Sequence, residues 1–153
     1  MNPGLQRLLI AGAALLVLLG VNASIVAKER IKSEGQTIYL ALAPVDPRSL
    51  MQGDYLALRF EIASHISTDQ SGSAALLVAP NGIATYNPDQ SAPGLRIRYR
   101  IRNQQVWLGT NAYFFEEGTA QRYWGAKYGE FRVDRETGEA VLVGLTGDDL
   151  KRK

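Results

Sequence analysis

Between Leu8 and Ala27 the chain reads LLIAGAALLVLLGVNASIVA, 20 consecutive residues without a charge. At a helical rise of about 1.5 Å per residue this run would extend about 30 Å, the thickness of a bilayer's hydrocarbon core. A helix buried in a soluble core is the plain alternative, but an unbroken apolar circumference leaves no face for water. Asn22 and Ser24 fall near the end of the run, where a polar side chain reaches the interface or bonds within the helix at modest cost. A cleaved signal peptide has a similar outline, with MNPGLQR as n-region, Leu8 to Val21 as h-region and cleavage at Val21-Asn22-Ala23 or Ile25-Val26-Ala27. A retained anchor is the expectation, because apolar character continues past the usual h-region as far as Ala27. Residues 1–34 are therefore read as a transmembrane anchor with its connector, and residues 35–153 as the head it carries.

The two orientation signals disagree. Arg7 precedes the run, whereas Lys28, Arg30 and Lys32 follow it, and that count would hold the head in the cytoplasm. A short N-terminal segment before a long apolar run is also the form of a signal anchor, which sends the head outward. The exported side is the expectation.

Composition removes several chemistries. With no Cys and a single His65, the chain has no disulfide framework, no Cys/His zinc site and no thiol nucleophile. No cofactor is expected. A formal net charge of +2 gives no case for nucleic acid, which usually demands a clear cationic excess.

The head reads as mainly β. Thr37 to Leu42 is an apolar β-rich run stopped by Pro44 and Pro47, and Tyr55 to Ile62 follows a Gly53-Asp54 turn signal. In that second run Leu56, Leu58, Phe60 and Ile62 alternate with Tyr55, Ala57, Arg59 and Glu61, so the first set faces the core. Ala74 to Ala79 is a short continuous strand, after a polar loop over 63–73. Leu95 to Arg102 alternates most clearly, with Leu95, Ile97, Tyr99 and Ile101 on one face and Arg96, Arg98, Arg100 and Arg102 on the other. Gln105 to Gly109 and Asn111 to Phe115 add two extended pieces, with Gly109-Thr110 as a tight connection. Gly118 to Tyr128 is expected as a helix capped by Thr119, with Ala120, Tyr123, Trp124 and Lys127 at helical spacing. Phe131 to Asp134 and Glu139 to Leu145 flank Arg135-Glu136-Thr137-Gly138, a hairpin with Gly138 placed for positive φ. About seven strands and one short helix predict a small antiparallel sandwich or partly open barrel.

The stretch Asp46-Pro47-Arg48-Ser49-Leu50-Met51-Gln52 leads into Gly53-Asp54-Tyr55-Leu56-Ala57-Leu58-Arg59-Phe60. It resembles the GDYXXLXY family, named for that motif, with Phe60 where the pattern ends in Tyr. Lys28-Glu29, Ala43 to Arg48, Glu117-Gly118, Tyr128-Gly129-Glu130 and Leu142 to Leu145 extend the resemblance over nearly the whole chain. The resemblance implies a bacterial membrane-anchored protein, of a kind often encoded beside polytopic membrane proteins. It supplies no catalytic residue.

Read physically, the motif is a corner. Gly53 permits close backbone approach, Asp54 accepts from neighbouring amides, and Asp46, Arg48, Asp54 and Arg59 are placed to pair with one another. A Gly-Asp ahead of an apolar strand, behind an anchor, also invites comparison with signal peptidases. The spacing defeats it, since the nucleophile position falls on Val45 and the pattern's proline on Arg48. Nothing brings Ser49 to Lys127, and His65 stands in a polar stretch, so no catalytic constellation is expected.

Two binding readings follow. In the first, the head docks onto a polytopic integral membrane partner through Arg48, Asp54, Tyr55, Arg98, Glu117 and Tyr128. In the second, the Arg96/Arg98/Arg100/Arg102 face takes an anionic ligand or lipid head group, its guanidinium groups spaced about 6.6 Å apart. The plain alternative for that face is neutralisation by Glu61, Glu116, Glu117 and Glu130 on adjacent strands. Tyr113, Phe114, Phe115, Tyr123, Trp124 and Tyr128 are expected to serve the core first.

Overall fold

A computed structural model describes residues 3–43, 51–52 and 55–151. Helix α1 (Pro3–Glu34) runs unbroken through the apolar segment, and it is long and apolar enough to cross a membrane. Its large side chains from Leu5 to Val26 are exposed, whereas Ile31, one turn beyond the apolar run, is buried. That change marks where the helix meets the head.

Among the described residues ten strands follow: β1 (Gln36–Ala41), β2 (Met51–Gln52), β3 (Tyr55–Ala57), β4 (Gly72–Val78), β5 (Ile83–Tyr86), β6 (Arg96–Arg102), β7 (Gln105–Trp107), β8 (Ala112–Phe114), β9 (Tyr128–Val133) and β10 (Ala140–Thr146). Seven of them form one curled sheet, a half-barrel ordered β10-β9-β1-β5-β4-β6-β7, and β2-β3-β8 form a small second sheet. The head is thus mainly β, as its alternating pattern predicts. The sheet is mixed rather than wholly antiparallel, because β1 pairs with β5 in parallel, Tyr39 opposite Ile83 and Leu40 opposite Ala84.

Alternation sorts each strand between core and solvent. Ile38 and Leu40 of β1, Ile97 of β6 and Phe131 and Val133 of β9 are fully buried on one face. Leu56, Leu58, Phe60 and Ile62 join them, so the predicted core face of that run is correct. The run is not one strand, however. After Ala57 it leaves the small sheet, makes a single bridge from Phe60 to Leu42, and turns at Glu61–His65 into a 3-10 segment packed on β1 and β5.

Two further expectations are corrected. Gly118 to Tyr128 is not a helix; only Ala120–Tyr123 forms a 3-10 turn, and the Thr119 hydroxyl donates to the Glu116 carbonyl instead of capping it. So short a helix is marginal without tertiary support. Strand pairing takes the residues from Lys127 onward, whose amide donates to Thr146 and whose carbonyl accepts from Leu42. Gly109-Thr110 does not close a hairpin, since β7 pairs with β6 and β8 with β3. The tight hairpin is instead β6–β7, turning through Asn103 and Gln104, both at positive φ. Strand β5, a four-residue piece without clear alternation, was not anticipated.

The motif segments meet around Gly129. The Phe60 ring lies 5.1 Å from that of Phe131, edge to face, over the glycine. A Cβ on Gly129 would stand 2.8 Å from the Phe60 ring and 3.1 Å from a Leu142 methyl. Overpacking of this kind costs about 1–3 kcal/mol. Gly129→Ala should therefore lower the thermal midpoint of the full chain in detergent, and Phe60→Leu should restore part of the loss. An unchanged midpoint for the single variant would contradict this packing.

Candidate functional site

The hairpin between β9 and β10 is built by Asp134, whose carboxylate accepts from the amides of Glu136 and Thr137 and from the Thr137 hydroxyl. Gly138 ends the turn at φ 70°, as its position in the sequence predicts. Its carbonyl accepts from the Arg98 amide at 2.7 Å, and a Cβ there would stand 3.1 Å from the Arg96 carbonyl. Both observations favour glycine there. The contact brings one end of the sheet against β6 and carries the next residue, Glu139, onto the arginine face.

Glu139 joins three elements. One carboxylate oxygen accepts from Lys28 Nζ at 2.6 Å, and the other lies 3.7 Å from an Arg98 guanidinium nitrogen. Lys28 is the first residue beyond the apolar run, so the last turns of α1, the hairpin and β6 converge on one carboxylate. Around it lies a pocket of about 230 Å³ lined by Lys28, Arg98, Arg100, Arg102, Trp107, Gly109, Glu139 and Ala140. Four cations share it with one anion. Arg102 stands over the Trp107 ring, 5.3 Å from its centroid, which fixes one wall.

The arginine face is therefore divided. Arg96 is a structural clamp, donating to the Ser73 hydroxyl and carbonyl and to the Gln90 carbonyl. Arg98, Arg100 and Arg102 line the pocket instead. The expected neutralising acids are not the ones used: β6 has β4 and β7 as neighbours, and Glu61, Glu116, Glu117 and Glu130 lie on neither. Glu139 arrives from the distant hairpin because the sheet curls. The alternation of β6 foretold the cations, but no local signal in the sequence identified Lys28, Trp107 or Glu139 as their companions.

The other predicted contacts do not gather in one place. Tyr55 lies in the small sheet with its ring 5.8 Å from that of Phe114. Glu117 is exposed in a turn, and Tyr128 is half-buried on β9 opposite Ala41 and Thr146. Arg48 and Asp54 lie outside the described residues, as does Asp46 of the expected ion-pair corner. Tyr113 and Phe115 pack with Tyr123, whereas Phe114 and Trp124 are exposed at 74% and 64%. Among the described residues no group of three or more His, Asp or Glu is placed to hold a metal ion.

Hydrogen bonding from Lys28 holds the Glu139 carboxyl below its ordinary value, with Lys28, Arg98 and Arg100 adding attraction and partial burial opposing. A lowered carboxylate pKa stabilises the fold fully above the ordinary value of 4.5, and the contribution is lost as pH falls through the lower folded-state value. Glu139→Gln should reduce the thermal midpoint at neutral pH and lose less of it on acidification than the parent chain. Parallel acid profiles would place the loss on other carboxylates.

A family model described as GDYXXLXY protein matches residues 17–145. No curated protein and no solved structure matches the chain.

Proposed function

The chain belongs to the GDYXXLXY family, and from that premise we propose that it is a single-span membrane-anchored accessory protein whose β head binds an anionic group at the bilayer surface. The observation that carries this reading is the pocket beside the last turns of α1, where Lys28, Arg98, Arg100 and Arg102 share the lining with the single carboxylate of Glu139. Net positive charge in a concave, partly apolar enclosure favours an anion with several acceptor oxygens, which guanidinium groups hold by paired hydrogen bonds. In this reading α1 is a retained anchor and the head lies on the exported side, in keeping with the signal-anchor form of the N-terminus. No step of bond making or breaking is assigned to it.

Docking onto a polytopic membrane protein is the second reading. It is favoured by Phe114 and Trp124, large rings left exposed on a head tethered to the membrane. A photocrosslinking residue at position 114 that captures nothing in native membranes would contradict it.

The first reading is tested with inorganic triphosphate as probe and the full chain in a zwitterionic detergent. Calorimetry should record saturable binding that weakens with salt and is abolished in Arg98→Glu/Arg100→Glu. Equal binding by the charge-reversed protein, or none by the parent, would remove the reading.

A further inference from the structure

We propose that the natural occupant of this pocket is the phosphodiester of an anionic membrane lipid, drawn from the leaflet in which α1 ends, and that Glu139 occupies its place until the lipid arrives. The inference rests on the anion-binding reading above and adds the identity of the ligand. Depth is the first argument. A 20-residue run of α1 spans the hydrocarbon core, so Lys28 begins at its edge, and lipid phosphates lie within the next few ångströms.

The junction between helix and head is held by defined contacts. The helix continues without a break to Glu34, Ile31 is buried against the head, and the Gly35 amide and carbonyl are held by Ile31 and Arg132. Lys28 itself is tied to Glu139. The pocket is therefore mounted at a fixed height, with its wall starting from the first residue past the apolar run. A soluble anion would have no need of a site at that level.

The lining also suits a lipid head group. Trp107 is half-buried, and Gly109 and Ala140 beside it present little side chain, a surface suited to the glycerol end of a head group. An amphipathic ring at the membrane interface is also a common anchor. Arg100 makes no salt bridge with a described carboxylate. Its charge is available to a ligand.

The Glu139 carboxylate, held between an ammonium group at 2.6 Å and a guanidinium at 3.7 Å, occupies the position that two phosphate oxygens would take. A lipid phosphate must compete with it or repel it. Removing that negative charge should therefore tighten lipid binding, the opposite of what a lining residue that merely supports the fold would do.

The test reads Trp107 emission in the full chain carrying Trp124→Phe, in zwitterionic detergent, titrated with short-chain phosphatidylglycerol, short-chain phosphatidylcholine or inorganic phosphate. Phosphatidylglycerol should produce a saturable change, with phosphatidylcholine and inorganic phosphate at least tenfold weaker. Arg100→Gln and Arg102→Gln should each weaken phosphatidylglycerol by about fivefold, the effect of one basic residue near an anionic surface. Glu139→Gln should strengthen it by a similar factor. Arg100 makes no side-chain hydrogen bond to a described residue, so Arg100→Gln should keep the parent's thermal midpoint, and Arg100→Lys should recover part of the binding.

If inorganic phosphate or triphosphate binds as tightly as phosphatidylglycerol, the lipid proposal is overturned while the anion-binding reading stands. If no anion binds, both fall. If phosphatidylglycerol binds equally well to the Arg100 and Arg102 variants, the attraction is a general surface effect and the assigned pocket is wrong.

Discussion

Glu139 is the point on which α1, the β9–β10 hairpin and β6 converge. Its carboxylate ties the end of α1, through Lys28, to a hairpin that is itself held against β6 by the Arg98 amide and the Gly138 carbonyl. At that three-way meeting the charges gather around a junction that packing already holds together. With it, a long apolar helix passes directly into a head of fixed bearing. Attraction alone would not secure the arrangement, because exposed ion pairs contribute little. Burial of Ile31 and the close backbone approach at Gly138 set the geometry, and the charges then act within it.

The family motif belongs to a different part of the same economy of packing. Leu56, Leu58 and Phe60 carry the chain from the small sheet across the core of the half-barrel. Phe60 then rests on Gly129, a position in the Tyr128-Gly129-Glu130 segment, beside Leu142 from the last strand. Segments far apart in the chain thus meet at one glycine. An aromatic ring fills that place, supplied by Phe60 where the family pattern ends in Tyr.

How much of this could be read from residues alone follows from the range of each interaction. Period-two alternation revealed β6 and the core face of Leu56 to Ile62, and the charge-free run revealed α1, because those signals are local. The Arg135-to-Gly138 turn was legible for the same reason. The helix expected over Gly118 to Tyr128 failed where Lys127 and Tyr128 were claimed by partners at Leu42 and Thr146, distant in sequence. The charge partner of Arg98 was misassigned for the same cause: Glu139 reaches β6 only after the sheet has curled. The pocket is a product of closure, and closure leaves no local trace.

The central claim is that this closure sets the cationic pocket at the level of the lipid head groups. It is tested most directly by the depth of Trp107, which is one of two tryptophans and becomes the sole one in Trp124→Phe. In vesicles of lipids brominated at successive positions, Trp107 emission should be quenched most by bromines near the head-group end of the acyl chain and progressively less by deeper ones. Emission unaffected by bromine at any position would put the pocket away from the bilayer and contradict the account.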